Sequence, residues 1–194
     1  GGEFGPGWHQ AATRERRQRN FDDLAAVARD MIARGFTSPR RLGVIGSSHG
    51  GLVASGVFVQ SPDLFNAVSA QLPLTDMLRY KRLSSAGTNW IAEYGNPDDP
   101  RQRASIKRWS PYQNVRAGVR YPRAFFLTAT RDERVHPASA AEVDNPLAGL
   151  QARQLEMMPD ASKRIDRRRR DRIEAEQGRP FAGRRVVLAG RADP

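Results

Sequence analysis

The first part of the chain shows the apolar spacing of an amphipathic helix. Apolar side chains recur every three or four positions, as they do on one face of a helix. Asn20 can cap the free backbone donors at its start, and Gly35 supplies its stop. The predicted helix therefore runs from Asn20 to Gly35. Its apolar positions are Phe21, Leu24, Ala28, Met31 and Ile32.

Three short apolar runs bounded by turn residues predict buried strands, at 42–45, 65–72 and 124–129. The stretch 52–60, directly after the first run, has the pattern of a second helix. Helices that alternate with short buried strands are typical of a mostly parallel sheet with helices on both faces. The fold class predicted for residues 1–137 is therefore α/β.

The pattern changes at two points along the chain. The stretch 73–121 is irregular and rich in aromatic residues, and insertions of this kind commonly build binding sites. After Pro137 the aromatic residues nearly vanish and the charge density rises. We therefore separate residues 138–194 as an atypical basic tail. Within it, 150–158 and 165–175 have helical patterns and 186–188 has the pattern of a strand.

Charge and residue types limit the classes of partner. The chain of 194 residues has a formal net charge of +11, with an arginine run at 167–170. Such a charge fits either a phosphate-binding face or a solvated surface, and no nucleic-acid module is recognisable. We therefore expect no nucleic-acid partner. The basic tail is read as solvated or disordered, with a basic arm for an acidic partner as the alternative.

The absence of cysteine excludes disulfides, thiolate metal sites and a cysteine nucleophile. We expect no metal and no cofactor. No apolar run reaches membrane-spanning length and no signal peptide is visible, so no membrane partner is expected. The chain begins at Gly1 without a methionine, so a targeting signal can lie upstream. Both the cytoplasm and the periplasm fit this composition.

The candidate chemistry begins with Gly46-x-Ser48-x-Gly50, which fits the nucleophile elbow of α/β-hydrolases. A serine there sits on a strained turn between a strand and a helix, and its neighbours must be nearly free of side chains. The apolar run before the motif and the helical pattern after it supply that context. The backbone N–H of His49 would then point at a developing oxyanion.

Several ordered motifs resemble the catalytic domain of the prolyl oligopeptidase family of serine peptidases. The resemblance covers residues 1–137 in unbroken order, and it implies a partial α/β-hydrolase-type domain, truncated on its N-terminal side. The motifs that carry it are Gly1-Gly2-Glu3-Phe4-Gly5, Trp8-His9, Asn20-Phe21-Asp22-Asp23, Gly35-Phe36-Thr37-Ser38-Pro39, Ser61-Pro62-Asp63-Leu64-Phe65, Trp109-Ser110-Pro111-Tyr112, Tyr121-Pro122 and Asp132-Glu133-Arg134-Val135.

The resemblance implies roles for the matching residues of this chain. Ser48 would be the nucleophile and Asp132 the acid of the triad. His49 stands where the family usually has Asn, and only its backbone N–H is needed there. Trp90 matches the aromatic floor that stacks on a proline ring, with Tyr94 lining the same pocket. Arg134 matches the residue that grips a substrate carbonyl, for which a guanidinium is suited.

The histidine of the triad has no counterpart in this chain. The family places it about 35 to 40 residues beyond the acid, where this chain has the arginine run. The histidines present are His9, His49 and His136, and none is expected to replace it. A slip of the reading frame near residue 138 would account for both this loss and the change of character of the tail.

The function that the resemblance implies is hydrolysis of short peptides, after proline, through an acyl-enzyme. The chain by itself is expected to be inactive without the histidine. Trp90 favours proline, although Glu93 lies close by in the sequence. An oligopeptidase with basic specificity or an esterase on the same fold is one alternative. A non-catalytic module of the α/β-hydrolase type is the other.

Overall fold

The structure is a computed structural model that describes residues 2–129, 153–158 and 186–190. Five parallel strands form one sheet in the order β4-β3-β2-β1-β5. This arrangement confirms the α/β class that the alternation of helices and strands predicts. The strands are β1 (Leu42–Ser47), β2 (Ala67–Gln71), β3 (Arg123–Ala129), β4 (Arg153–Met158) and β5 (Val186–Gly190).

Helices occupy the connections between the first three strands. The helix α3 packs against β1 and β2, and α2 packs against α3. The helices are α1 (Pro6–Gln10), α2 (Gln18–Ala33), α3 (His49–Gln60), α4 (Tyr80–Leu83), α5 (Ile91–Tyr94) and α6 (Pro100–Trp109), with short 3₁₀ turns between them. No helix in the described ranges is long and apolar enough to cross a membrane.

The cap predicted for the helix that stops at Gly35 is wrong, because the N-cap position of α2 is Arg17. α2 begins at Gln18, and Asn20 lies inside it. The amide of Asn20 instead approaches a ring nitrogen of His49. The predicted stop is confirmed: Gly35 has a φ of 72°. The N–H groups of Gly35 and Phe36 donate to the carbonyls of Ile32 and Met31, which is the Schellman pattern of a helix end.

Part of the core lies where α2 packs against α3. Gly56 of α3 has no room for a side chain, because an added Cβ would lie 2.5 Å from the ring of Phe21 in α2. The same ring packs against the fully buried Trp109 at the end of α6, with the ring centroids 6.3 Å apart. The two helices and the insertion therefore share one core around Phe21.

The insertion between β2 and β3 is more regular than its sequence pattern indicates. It contains α4, α5 and the ten-residue α6. A polar cluster of the buried Thr75, Asp76 and Ser110 and the half-buried Gln113 ties its two ends together. The Ser110 hydroxyl accepts from the N–H of Met77 at 2.9 Å, and the amide of Gln113 donates to Asp76 at 2.8 Å. Polar networks of this kind, whose groups are hydrogen-bonded to one another, favour a single arrangement of the chain.

Two strands come from the region separated as a basic tail. The helical pattern predicted for 150–158 is wrong, because 153–158 forms β4 and pairs with β3 from Ala124 to Ala129. The strand pattern at 186–188 is confirmed by β5, which covers the free edge of β1. The helical pattern at 165–175 and the arginine run at 167–170 lie outside the described residues. The division of the chain at residue 138 stays a prediction.

Candidate active site

Ser48 occupies a sharp corner between β1 and α3. Its backbone has φ 53° and ψ −116°, a combination that non-glycine residues rarely adopt. The corner is held on both sides: the N–H of Ser48 donates to the carbonyl of Gln71 at 2.9 Å, and its carbonyl accepts from the N–H of Leu52 at 3.0 Å. The residue is exposed. Backbone strain of this kind concentrates at functional sites.

The glycines around Ser48 are required by close backbone contacts. A Cβ on Gly46 would lie 2.0 Å from the carbonyl oxygen of Gly50, far inside the van der Waals limit. A Cβ on Gly51 would lie 2.7 Å from the carbonyl oxygen of Gln71 and 3.0 Å from the Cα of Pro73. The requirement for glycine at positions 46 and 51 therefore has a direct steric cause in the packing of β1, α3 and the end of β2.

The backbone N–H of His49 lies at the N-terminus of α3. As the first residue of the helix, it precedes the first intrahelical hydrogen bond, so the helix itself leaves this donor unsatisfied. The helix dipole adds partial positive charge at the same end. A free donor at the positive end of a helix is suited to a negative oxygen, and the role of this N–H as an oxyanion donor stays a prediction.

The ring of His49 is held by three side chains. Arg17 Nη1 and Asn20 Nδ2 each approach its Nε2 at 3.3 Å, and both groups are donors only. Nε2 must therefore accept, which leaves the proton on Nδ1. That proton is donated to the hydroxyl of Tyr94 at 3.0 Å. The two rings also stack, with centroids 5.8 Å apart and an angle of 20° between their planes.

This environment keeps His49 neutral. Burial lowers the pKa of His49 from 6.5 to about 4, with a further contribution from the Arg17 charge. Both ring nitrogens are occupied by Arg17, Asn20 and Tyr94, so the ring is not available to take a proton from Ser48. The position agrees with the expectation that His49 does not replace the histidine of a triad.

Trp90 and Tyr94 lie together in the insertion, at the end of a 3₁₀ turn and of α5. Their rings meet edge to face, with centroids 6.3 Å apart. Trp90 is partly buried, whereas Tyr94 is 5% exposed and packs against Tyr80 as well as His49. Burial raises the pKa of Tyr94 to about 12, so its hydroxyl stays protonated. The structure gives Tyr94 a packing role, and its place in a specificity pocket stays a prediction.

Sequence reasoning missed a buried charge beneath these residues. Arg17 is 2% exposed and donates through Nη2 to both the backbone carbonyl of Glu93, at 2.8 Å, and its carboxylate. The second carboxylate oxygen of Glu93 meets His9 Nε2 at 2.7 Å. Burial alone would raise the pKa of Glu93, but the hydrogen bonds and charge of Arg17 hold it below its ordinary value. Arg17 belongs to an arginine-rich stretch, and no sequence signal distinguishes it from its neighbours as the buried one.

The remaining predicted site residues lie outside the described part of the chain. These are Asp132 and Arg134; His136, which is not a predicted site residue, also lies there. Their roles as triad acid and substrate-binding residue stay predictions. Among the described residues, no cluster of His, Asp or Glu has the composition to hold a metal ion.

Comparison with known proteins identifies the class to which this fold and corner belong. The family model described as the prolyl oligopeptidase family matches residues 1–178. The chain is similar to a solved structure of a post-proline cleaving enzyme from Rickettsia typhi, with 37% identity and a TM-score of 0.76 over 82% of this chain and 23% of that one. The domain is therefore of the α/β-hydrolase type, and the chain belongs to the prolyl oligopeptidase family.

Curated relatives agree with this assignment. An uncharacterized peptidase of Sinorhizobium fredii is 52% identical over 143 residues, which are 74% of this chain and 20% of that protein. A prolyl endopeptidase of Dictyostelium discoideum is 37% identical over 139 residues, 71% of this chain and 18% of that protein. The chain thus spans about a fifth of the length of the relatives that it matches.

Proposed function

We propose that this chain carries the nucleophilic serine of a serine peptidase that hydrolyses short peptides after proline. The observation that carries the proposal is the conformation of Ser48, an exposed hydroxyl on a strained corner at the N-terminus of a helix. Family membership supports the peptide substrate. The relatives named as prolyl endopeptidases and post-proline cleaving enzymes support the preference for proline.

The chemistry assigned to the site is acyl transfer. The Ser48 oxygen attacks the carbonyl carbon of the scissile peptide bond. The carbonyl oxygen becomes an oxyanion, which accepts a hydrogen bond from the backbone N–H of His49. The proton of the hydroxyl passes through an imidazole to the leaving amine, which departs as the C–N bond breaks. Water then hydrolyses the ester on Ser48 and returns the hydroxyl. Asp132 would orient the imidazole.

The imidazole of this scheme is not assigned within the chain. His9 pairs with Glu93, and His49 has both ring nitrogens engaged. His136 follows the predicted acid by only four positions. The 194-residue polypeptide by itself is therefore expected to be inactive.

The contacts of the Glu93 carboxylate favour proline over arginine or lysine as the residue before the cleaved bond. A pocket for Arg or Lys needs a carboxylate that is free to pair with the substrate. Both oxygens of Glu93 are already used, one by Arg17 and the other by His9. Trp90 offers an aromatic face for a proline ring. An esterase or a non-catalytic module on this fold stays the alternative to peptide hydrolysis.

The test is labelling by a fluorophosphonate probe in the complete natural protein that contains this sequence. The wild type is expected to take up one probe at Ser48, and Ser48→Ala is expected to lose both the label and peptide hydrolysis. Ser47→Ala is the matched control, because Ser47 is the exposed neighbour without the strained conformation, and it should retain the label. A protein that hydrolyses no peptide and leaves Ser48 unlabelled would be a non-catalytic module.

Specificity is tested on two chromogenic peptides that differ only in proline or arginine before the cleaved bond. The proline peptide is expected to be cleaved with the higher kcat/KM. A preference for the arginine peptide would overturn the assignment of Trp90 and support basic specificity. Cleavage of a matched ester but of neither peptide would support an esterase.

A further inference from the structure

The buried Arg17 connects two parts of the candidate site that are far apart in the sequence. One is the first residue of the nucleophile helix, His49, which Arg17 contacts through Nη1. The other is α5, where Arg17 holds both the backbone carbonyl and the carboxylate of Glu93 through Nη2. A single guanidinium therefore bridges the residue that bears the oxyanion donor and the helix that follows Trp90.

The position of Arg17 is fixed from several sides. Its guanidinium carbon lies 5.0 Å from the centre of the Tyr94 ring, which is the geometry of a cation–π contact. The side chain is 2% exposed, and its charge is balanced by Glu93. Without Glu93 the buried guanidinium would be an unpaired charge, which is energetically costly. Other positions of the Arg17 side chain are therefore disfavoured. The planar fork of arginine suits this double contact, whereas lysine offers one amine.

Arg17 also determines which nitrogen of His49 carries the proton. Because Nε2 accepts from Arg17 and Asn20, the proton stays on Nδ1 and binds the hydroxyl of Tyr94. The ring is thereby tied to α5 on one side and to the start of α2 on the other. Since side chain and backbone N–H belong to the same residue, anchoring the ring restricts the direction in which that N–H points.

We propose that Arg17 is a positioning residue, which fixes the backbone N–H of His49 relative to the segment that carries Trp90 and Tyr94. This inference rests on the proposed function, in which that N–H stabilises the oxyanion. Arg17 touches neither the substrate nor the reacting atoms in this account. It acts through His49 and Glu93, and it makes the oxyanion donor and the aromatic wall one rigid unit.

The test compares Arg17→Met and Arg17→Lys with wild type in the complete natural protein. Loss of a positioning contact typically costs about 10- to 100-fold in rate. Arg17→Met is expected to lower kcat on the proline peptide by about that factor, with KM changed less than about threefold. Arg17→Lys keeps the charge but not the fork, so it should retain an intermediate kcat. Arg16→Met is the matched control: Arg16 is exposed on the same turn, and its substitution should leave kcat unchanged.

A second readout separates positioning from a general loss of structure. A peptide aldehyde forms a tetrahedral adduct with the serine, whose oxygen needs the donor at residue 49. Its affinity should fall in Arg17→Met by the same factor as kcat, while affinity for the unreactive peptide alcohol should stay within about threefold. Nitrogen-15 NMR of His49 should show a proton on Nδ1 in wild type and a loss of this single tautomer in Arg17→Met.

The outcomes distinguish the two proposals. If Ser48→Ala remains active, the proposed function fails and the role of Arg17 fails with it. If Ser48→Ala is inactive while both Arg17 variants keep the wild-type kcat and aldehyde affinity, only the role of Arg17 is overturned. If Arg17→Met does not fold, Arg17→Lys decides: an unchanged kcat or a change confined to KM overturns the inference, and a lower kcat with parallel loss of aldehyde affinity supports it.

Discussion

A methyl group at position 46 would lie 2.0 Å from the carbonyl oxygen of Gly50. The backbone of α3 would have to move away from β1, and the corner at Ser48 would open. We expect Gly46→Ala to lower the free energy of unfolding by about 3 kcal/mol or more, as overpacking against backbone does. Urea denaturation followed by tryptophan fluorescence measures this change.

The control for that substitution is Gly43→Ala in the same strand. A Cβ on Gly43 would lie 3.4 Å from the carbonyl oxygen of Ala67, which is close to ordinary contact. The change should cost less than about 1 kcal/mol. Equal losses at positions 43 and 46 would contradict the steric explanation of the motif.

The neutral state of His49 predicts a pH dependence of stability. The pKa of His49 is about 4 in the folded chain because the ring is buried beside Arg17, against 6.5 for an ordinary histidine. Between these values the unfolded chain binds a proton and the folded chain does not. Stability is therefore complete above pH 6.5, falls as the pH drops towards 4, and loses up to about 3 kcal/mol.

Denaturation of wild type and His49→Asn across pH 4 to 8 checks this expectation. Asparagine has no titrating group, so the variant should lack the part of the slope that His49 contributes. The Glu93 carboxyl, whose pKa is lowered, adds its own loss of stability at acid pH in both proteins. Identical slopes in the two proteins would show that His49 is not held neutral by the fold.

At the scale of elements, α6 shows which signals the sequence did carry. Its N-cap is Asp99, whose carboxylate accepts the N–H groups of Arg101 and Gln102 at 2.9 Å, and Pro100 stands at the first helical position. Both are standard start signals. The helix was predictable from them, but the aromatic residues around it favoured an irregular binding insertion.

The cap of α6 supplies a prediction of its own. Asp99→Ala leaves two helix donors without their side-chain acceptor and should lower the free energy of unfolding by about 1 kcal/mol. Asp99→Asn keeps an oxygen in place and should stay within about 0.5 kcal/mol of wild type. Urea denaturation of the three proteins provides the comparison, and equal losses for alanine and asparagine would rule out capping as the cause.

The strand–corner–helix unit at β1 and α3 was predictable because all its determinants are local. The apolar run, the glycine spacing and the following helix lie within 42–60. The helical pattern at 150–158 failed because apolar periodicity in a short segment does not distinguish a helix from a strand that a sheet recruits. Its pairing with β3 depends on a neighbour about 30 positions away in the sequence.

The contacts of Arg17 could not be predicted for a related reason. His49, Glu93 and Tyr94 come from two further segments, and nothing in an arginine-rich loop marks one guanidinium as buried. Family resemblance supplied the expected roles of Ser48 and Trp90, but it gave no reason to notice Arg17. Contacts between distant segments become visible only in the folded chain.

At the scale of the whole molecule, β5 is the second strand that pairs with β1, the strand that leads to Ser48. Truncation after residue 185 would remove β5 and leave the edge of β1 unpaired, and unpaired edges promote association between chains. We expect this truncation to form oligomers and to lower stability. Size-exclusion chromatography with light scattering measures the change.

Truncation after residue 190 is the matched control, because it shortens the chain but leaves all five strands. This form should keep the oligomeric state and stability of the intact chain. If truncation after residue 185 gives the same result, the pairing of β5 with β1 contributes nothing to solubility.

The register of that edge has a consequence for synthesis on the ribosome. Leu42 pairs with Val186 and Gly46 pairs with Gly190, so β1 gains this neighbour only after a further stretch of roughly 140 residues has been translated. Until then the nascent polypeptide leaves the peptide groups along this edge of β1, the strand that leads to Ser48, without partners. Slow emergence of the last strand would prolong this interval, during which chaperones and proteases compete with completion of the sheet.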